Sequence, residues 1–282
     1  YPSGISNQMT LIIAHRGFSG QFPENTLLAF QEAMELGVEA IELDVQLSKD
    51  GEIMIFHDED LSRITGQKGL LKDLTFSELR DLDASGEYQG IFGIQTIPTL
   101  SEYLELTANK DILTFLELKN GMLPYPLLEE KVADCLTRFD RQKGTILFSA
   151  NHPSVKYFGS LAPDVQLLFP FDNWIFGYGA YCHSHGITAC MPYFRALTPE
   201  VVAEIKSFGI SIYPWTVDQP QDFQTMLASG VDGILSNHPD RLKRFLNTKK
   251  LDKLRMKSAA GLHSEPSPET PALPPDKLID LP

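Results

Sequence analysis

Two histidines in this chain stand at the ends of apolar runs. His15, with Arg16 beside it, ends the run 11–15, and His57 ends the run 53–57. If both runs are strands of one parallel barrel, their carboxyl ends share a face of the molecule and bring the imidazoles together. Two imidazoles can supply a proton acceptor and a proton donor near neutral pH, and a guanidinium offers a planar fork to phosphate oxygens. The pattern therefore predicts acid–base chemistry on a phosphodiester, with His15 and His57 as the catalytic pair and Arg16 binding the substrate.

Three carboxylates lie in two further apolar runs. Glu42 and Asp44 point to the same face of the run 40–46, because successive side chains of a strand alternate faces, and Glu117 likewise shares its face with Lys119. Three inward-facing carboxylates would repel one another and be costly to desolvate, and one divalent cation with oxygen ligands relieves both effects. We therefore predict Glu42, Asp44 and Glu117 as ligands of Mg²⁺ or Ca²⁺, with Mn²⁺ as a further candidate, and Lys119 as a second phosphate contact. Neutralising Glu117 alone is the alternative role for Lys119.

Aromatic residues near two predicted strand ends have alternative roles. Trp215, in the run 210–217, can pack its face on the glycerol or alcohol part of a substrate, or it can belong to the core. We predict the substrate contact. The segment 169–178 carries five aromatic residues. It can line an apolar rim for a lipid-like alcohol or touch a membrane surface, but we favour an ordinary buried helix.

Apolar and β-branched runs alternate with helical spacing along the chain, which is the pattern of a parallel sheet with helical crossovers. The predicted strands are 11–15, 40–46, 53–57, 113–118, 145–149, 165–169, 187–191, 210–217 and 233–236. The predicted helices are 24–36, 100–108, 127–139, 199–208 and 220–228. Nine strands exceed the eight of an α/β barrel, and the link 47–53 is too short for a crossover helix. One of the two runs joined by this link, 40–46 or 53–57, is therefore expected to be an extra hairpin strand.

The interval 58–99 breaks this alternation. It is long and charged, with a capped helix start at 75–79 and a loop-like stretch at 86–93, and we interpret it as a small insertion on the barrel. A chain of 282 residues can form one α/β barrel or two smaller domains. We predict a TIM (β/α)8 barrel over residues 1–247. The remaining residues, 248–282, are Lys-rich and then Pro-rich, so we expect a short helix at most and then an extended tail.

The charge balance of the chain limits its partners. Lys and Arg number 24 against 37 Asp and Glu, a formal net charge of -13, so a nucleic-acid partner is not expected. An anionic substrate therefore needs a locally positive site. No run of about 20 apolar residues and no signal-peptide pattern is present, and the three cysteines lack the spacing of a zinc or redox motif. A cytoplasmic location is the default expectation, although the first residue is not Met and a targeting segment can be missing.

Eight short motifs occur in order between Leu11 and Leu246. They are Ala14-His15-Arg16-Gly17, Pro23-Glu24-Asn25-Thr26, Glu42-Leu43-Asp44-Val45, Lys49-Asp50-Gly51, Phe56-His57-Asp58, Ile97-Pro98-Thr99-Leu100, Glu117-Leu118-Lys119 and Trp215-Thr216-Val217-Asp218. Each motif is weak alone, but together and in this order they resemble the signatures of the glycerophosphodiester phosphodiesterase family. The long interval after His57 also corresponds to the small insertion that distinguishes this family from its phospholipase-like barrel relatives.

The resemblance implies a TIM-barrel hydrolase that uses a divalent cation to split glycerophosphodiesters into sn-glycerol 3-phosphate and an alcohol. In such enzymes the matching residues are an acid–base pair, metal ligands and phosphate contacts, here His15 and His57, then Glu42, Asp44 and Glu117, then Arg16 and Lys119. These roles agree with those that the residue types predict. One departure is Asn237, where an acidic residue is common in the family.

Several alternatives stay open at this point. Water can attack phosphorus directly, or a glycerol hydroxyl can attack first and give a cyclic phosphate that is then hydrolysed. A related enzyme acting on lysophospholipids would keep the same site and change only the pocket wall. A non-catalytic phosphate-binding barrel is disfavoured, because the full set of catalytic residue types is present. The expected partner is a small-molecule glycerophosphodiester, and the sequence indicates no oligomeric state and does not decide on membrane contact.

Overall fold

The computed structural model describes the backbone of residues 10–261 and the side chains of residues 10–249 and 251. Its strands are β1 (Leu11–Ala14), β2 (Ala40–Leu47), β3 (Ile53–Ile55), β4 (Leu113–Leu118), β5 (Thr145–Phe148), β6 (Gln166–Leu167), β7 (Phe169–Phe171), β8 (Ala189–Pro192), β9 (Ser211–Ile212) and β10 (Gly233–Ser236). Its α-helices are α1 (Leu27–Leu36), α2 (Ser62–Thr65), α3 (Phe76–Arg80), α4 (Leu100–Leu106), α5 (Leu128–Arg138), α6 (His152–Leu161), α7 (Tyr178–Ser184), α8 (Pro199–Ser207), α9 (Pro220–Ser229) and α10 (Pro239–Gly261). Short 3₁₀ turns lie at Leu71–Asp73, Gly86–Tyr88 and Phe194–Ala196.

Parallel pairing closes the strands into a ring. One sheet runs in the order β10, β1, β2, β4, β5, β6, and a second runs β7, β8, β9. Only Leu168 separates β6 from β7, so the two form one barrel strand that pairs with β5 at its start and with β8 at its end. β9 and the residues after it close the barrel against β10. Backbone hydrogen bonds run from Asp232 N to Ile212 O (2.9 Å) and from Leu235 N to Pro214 O (3.0 Å). The chain therefore folds as a TIM (β/α)8 barrel.

One of the nine predicted strands lies outside the ring. β3 pairs antiparallel with β2, with Val45 opposite Ile55. This confirms the extra hairpin strand. Beyond the hairpin, Phe56 N donates a hydrogen bond to Asp44 O over 3.0 Å, so the chain at His57 returns to the end of β2.

Alternation along the strands decides which side chains fill the barrel. Ala40 and Phe115 belong to the apolar cluster of the interior. The same strand faces carry Glu42 and Asp44 two and four residues after Ala40, and Glu117 two residues after Phe115. The carboxylates therefore lie on the interior faces of their strands, beyond the apolar cluster and nearer the carboxyl ends of the strands.

The interval 58–99 has a small core of its own, built on β3. Its cluster consists of Met54, Phe56, Leu61, Leu71, Leu79, Ala84 and Ile97. The predicted capped helix start is confirmed, because Thr75 and Glu78 form a capping box at the start of α3. The insertion follows His57 directly, and Phe56, the residue before His57, packs in its apolar cluster.

One secondary-structure prediction is wrong, and the helices α6 and α7 are missing from the predicted set. The segment 169–178 is not a buried helix, because β7 forms a ladder with β8 and the following residues 172–176 are an exposed loop before α7. Helix α6 was not predicted, although Asn151 caps it by accepting a hydrogen bond from Ser154 N and Pro153 stands in its first turn.

Helix α10 runs into the segment whose composition predicts a tail. Residues 248–261 are its second part, and the Lys, Leu, Arg, Met and Ala there are good helix formers. The rest of the predicted tail, 262–282, lies outside the described residues. A compact unit extends to Lys243, and a second unit begins at Arg244. Within residues 10–261, none of the helices combines the length and the apolar composition that a bilayer span requires.

The turn after the first histidine depends on a glycine. Gly17 follows Arg16 with a φ of 78°, and a Cβ there would lie 2.8 Å from the backbone of Ala29 in α1. Gly66 has a similar φ of 74°, but no atom lies within 4 Å of the position of its Cβ.

Gly17→Ala is therefore expected to lower the free energy of unfolding by roughly 2 to 5 kcal/mol, the sum of a left-handed backbone cost and a packing clash. The matched control Gly66→Ala carries only the backbone cost, about 1 to 2 kcal/mol. Urea unfolding of both variants measures the difference. Equal losses would contradict the close approach of α1 to the turn.

Candidate active site

The parallel register of two strands brings three carboxylates side by side. β2 and β4 are neighbours, with Asp44 beside Glu117 and Glu42 beside Phe115. Glu42 and Asp44 are each 1% exposed. One carboxylate oxygen from each of Glu42, Asp44 and Glu117 lies within 4.8 Å of the others. The three residues predicted as metal ligands are thus together at one end of the barrel interior.

Burial distributes the charge of this cluster unevenly. Burial, and then repulsion from Asp44, raises the pKa of Glu42 well above its usual range. Burial also raises the pKa of Glu117 to about 7, while Lys119 opposes the increase. Burial acts on Asp44 in the same direction, but the positive charges of Lys119 and Arg16 outweigh it, so the pKa of Asp44 is lowered. Asp44 therefore carries the negative charge most readily, and the two glutamates hold protons more readily than free carboxyl groups do.

The donor set fits a divalent cation with oxygen ligands. Asp44 Oδ1 is buried without a hydrogen-bond partner. So is Asn25 Oδ1, although the Nδ2 of the same amide donates to Asp44 Oδ2 over 2.8 Å. Buried oxygens without donors are costly, and a hard cation offers the positive partner that they lack. Glu42, Asp44 and Glu117 are the residues that could hold it.

Two basic side chains border the carboxylates. Arg16 has a left-handed backbone with φ of 55°, so its N–H donates to Glu42 Oε2 (2.8 Å) while its guanidinium donates to Glu24 Oε1 (2.8 Å). Lys119 Nζ donates to Glu117 Oε1 over 3.0 Å. Both side chains also line the cavity described below. Lys119 therefore pairs with Glu117 and also reaches the cavity, so its two predicted roles are compatible.

The two imidazoles face the same cavity with different partners. His15 follows β1, and its Nδ1 lies 2.7 Å from Asn237 Oδ1 while its Nε2 lies 3.8 Å from Glu42 Oε2. His57 follows β3, and its Nδ1 lies 2.6 Å from Asp58 Oδ1. Burial is the largest effect on His15 and lowers its pKa to about 4. One imidazole is thus neutral beside an amide, and the other is hydrogen-bonded to a carboxylate.

A cavity of about 310 Å³ opens at this end of the barrel. Its walls are formed by His15, Arg16, Glu42, His57, Glu59, Glu117, Lys119, Gly121, Met122, Phe148, Ala150, Pro170, Asp172, Met191, Trp215 and Leu235. Seven of the eight predicted site residues are among them, and Asp44 is buried against Glu117 next to the cavity. Trp215 packs on the interior apolar cluster, and its Nε1 donates to Met191 O over 3.0 Å. Its core role and its place in the wall are therefore compatible.

Sequence reasoning missed the charged residues that orient the site. Arg63, in the insertion, donates to both oxygens of Glu24 (2.8 and 2.9 Å) and to both oxygens of Asp58 (2.5 and 3.1 Å). Glu24 also accepts from Arg16, and Asp58 contacts His57. Arg63 thus links the phosphate-binding candidate to the second imidazole. Glu24 and Asp58 stand in the quoted motifs, but Arg63 lies 39 residues from Glu24 and outside every motif.

A second overlooked residue is Gln46, on the same face of β2 as Asp44. Its Nε2 donates toward the carbonyl oxygens of Phe56 and Asp58, each at 2.8 Å. Tyr125 Oη donates to Gln46 Oε1 over 2.6 Å. Gln46 therefore holds the backbone on both sides of the second imidazole, and the two-residue period of β2 is the signal that could have found it.

Two loops that contribute a residue to the cavity wall also carry exposed apolar side chains. Met122, in the loop after β4, is 83% exposed. Trp174 is 66% exposed and Phe176 is fully exposed in the loop after β7. Met122 and Asp172 line the cavity, so both loops continue outward from its wall. We refer to Met122, Trp174 and Phe176 below as the apolar rim.

An eight-stranded parallel barrel with clustered carboxylates, two imidazoles and two basic side chains around one cavity has the organisation of a phosphodiester hydrolase. Residues 15–241 match the model of the glycerophosphoryl diester phosphodiesterase family. The chain belongs to this family, and the predicted resemblance is confirmed.

Individual relatives agree with this assignment. The chain is 38% identical over 238 residues to a glycerophosphodiester phosphodiesterase of Caldanaerobacter subterraneus subsp. tengcongensis, covering 83% of this chain and 96% of the relative. It is 39% identical over 236 residues to one of Bacillus altitudinis, with coverage of 83% and 96%. An Oleispira antarctica phosphodiesterase, solved in complex with the product sn-glycerol-3-phosphate, is 28% identical with a TM-score of 0.74, covering 85% of this chain and 97% of that one.

Proton and cation should compete for the carboxylates. A cation binds deprotonated ligands, so the raised pKa of Glu117, about 7, predicts weaker binding of Mg²⁺ or Ca²⁺ below that pH and stronger binding above it. Calorimetric titrations at about pH 6 and about pH 8 measure the difference, and Glu117→Gln should weaken binding and reduce its pH dependence between these two values. Equal affinity at the two pH values would contradict the proposed ligand set.

Proposed function

We propose that this chain hydrolyses glycerophosphodiesters to sn-glycerol 3-phosphate and an alcohol, with one divalent cation and with His15 and His57 as the groups that transfer protons. The observation that carries this proposal is the approach of Glu42, Asp44 and Glu117 within 4.8 Å beside a cavity that both imidazoles line. The product bound to the Oleispira antarctica relative supports the choice of substrate.

Charge complementarity accounts for binding of the phosphoryl group. The cation, held by Glu42, Asp44 and Glu117, would supply positive charge against the phosphate when it is bound. The Arg16 side chain lines the cavity, so its guanidinium can contact a phosphate oxygen. Lys119 donates one of its three N–H groups to Glu117 and has others for the substrate. The cation, Arg16 and Lys119 would therefore place positive charge around the phosphate in a protein of formal net charge -13.

The partners of the two imidazoles assign their roles. His15 is neutral beside an amide, so it accepts the proton of the attacking oxygen. Burial raises the pKa of Asp58, but hydrogen bonds from His57 and Arg63 outweigh it and lower the pKa below its usual range. An anionic partner stabilises an imidazolium, so His57 donates a proton to the leaving alcohol oxygen as the P–O bond breaks. The same transfers serve attack by water and attack by a glycerol hydroxyl.

His15→Ala and His57→Ala should each lower kcat by ~10²-fold or more with the fold retained, because each removes one proton transfer. The assay is release of sn-glycerol 3-phosphate from glycerophosphocholine in the presence of Mg²⁺, Mn²⁺ or Ca²⁺. His183→Ala, at an exposed histidine outside the cavity wall, is the matched control. Near-normal turnover in either test variant would remove that histidine from the mechanism.

A second candidate substrate is a lysophospholipid, which carries the same phosphodiester with one acyl chain. The apolar rim favours it, because Trp174 and Phe176 are exposed in a loop whose Asp172 lines the cavity, and an acyl chain would give them apolar cover. A water-soluble glycerophosphodiester has no group that would need this surface.

Replacing Trp174 and Phe176 together by Ser should lower turnover of lysophosphatidylcholine several-fold. The acyl chain would lose an apolar contact with each aromatic side chain, and each contact is worth about 1 kcal/mol or more. Turnover of glycerophosphocholine should not change. Lysophosphatidic acid and sn-glycerol 3-phosphate are the products to measure. A wild-type protein that cleaves only the soluble substrate would rule out the lysophospholipid, and a double variant with unchanged selectivity would show that Trp174 and Phe176 do not bind its acyl chain.

A further inference from the structure

A chain of hydrogen bonds runs from His15 away from the cavity. His15 Nδ1 lies 2.7 Å from Oδ1 of Asn237, which follows β10. Asp218 lies behind Asn237 and accepts hydrogen bonds from Asn237 N, Asn237 Nδ2 and Ser236 Oγ, each at 2.9 Å. All of these residues lie at the carboxyl ends of β1 and β10 or in the segment beyond β9, so the barrel closure brings them together.

The carboxylate of Asp218 determines which way the Asn237 amide points. Carboxylate oxygens accept hydrogen bonds, so the NH₂ group must face Asp218 and the amide oxygen must face His15. An amide oxygen has no hydrogen, so His15 Nδ1 must be the donor. The other ring nitrogen, Nε2, then carries the lone pair and lies on the side of Glu42 and the cavity.

We propose that Asp218 is a positioning residue that acts through Asn237 and keeps His15 in the tautomer with a free Nε2. This inference rests on the proposed function, in which His15 Nε2 accepts a proton. The amide transmits orientation without placing a carboxylate against the ring, in contrast to the direct contact of His57 with Asp58. Ser19 Oγ, 3.0 Å from Asn237 Oδ1 and 2.7 Å from His15 O, stands beside the same contact.

Asp218→Asn tests the relay. Ser236 Oγ and Asn237 N both donate to one oxygen of Asp218, so the introduced Asn keeps its amide oxygen there and turns its NH₂ toward the NH₂ of Asn237. The Asn237 amide then turns over, offers a donor to His15 Nδ1 and moves the ring proton to Nε2. We expect kcat to fall at least ~10-fold, the usual effect of losing such a supporting hydrogen bond, with KM changed by less than ~3-fold.

The exchanged pair Asp218→Asn with Asn237→Asp restores the pattern of donors and acceptors. The carboxylate introduced at position 237 accepts from the amide introduced at position 218 on one side and from His15 on the other. This double variant should return the ring proton of His15 to Nδ1, which a merely structural role of Asp218 would not produce. Ser236→Ala is the matched control, since it removes a hydrogen bond to Asp218 and leaves the relay intact.

Nitrogen-detected NMR spectra of the histidine-labelled protein give a readout that does not depend on turnover. His15 should show a protonated Nδ1 in wild type and in the exchanged pair, and a protonated Nε2 in Asp218→Asn. The same tautomer in all three proteins would overturn the relay. Absence of turnover in wild type together with the expected spectra would overturn the proposed function and leave the relay standing.

Discussion

The structure depends on the burial of three carboxylates in one small volume. Glu42, Asp44 and Glu117 lie in register on neighbouring strands, and burial and mutual repulsion both oppose their charge. Such a cluster is costly unless positive partners offset it. Arg16 and Lys119 supply part of the compensation, and the buried Asp44 Oδ1 without a donor indicates that a further positive partner is needed. This constraint favours a phosphodiester site, because a cation that stabilised the cluster would also attract phosphate.

The insertion is part of the same electrostatic arrangement. Arg63 lies in it and contacts two carboxylates, Glu24 and Asp58, which in turn hold Arg16 and His57. The insertion therefore supplies a guanidinium that holds the carboxylate partners of one imidazole, His57, and of one basic side chain, Arg16. The other imidazole, His15, contacts Asn237, which follows β10 and is itself held by Asp218.

Much of the site could be predicted because it follows from local periodicity. The two-residue period of strands places Glu42 with Asp44 and Glu117 with Lys119, and the barrel places the ends of their strands together. The hairpin of β3 was predictable because a short link cannot hold a crossover helix. The loop after β7 was not, because its aromatic residues resemble a core segment while the structure leaves Trp174 and Phe176 exposed. The contacts of Asp218 with Asn237 and of Arg63 with Glu24 also escape local reasoning, since these pairs are 19 and 39 residues apart in the sequence.

The most direct test of the central claim is anomalous diffraction from crystals of the wild-type protein soaked in Mn²⁺. We predict one strong peak bonded to oxygens of Glu42, Asp44 and Glu117 at roughly 2.0 to 2.6 Å, with His15 and His57 on either side of its open positions. An ion bound elsewhere, or carboxylates that turn away from a common centre, would contradict the account.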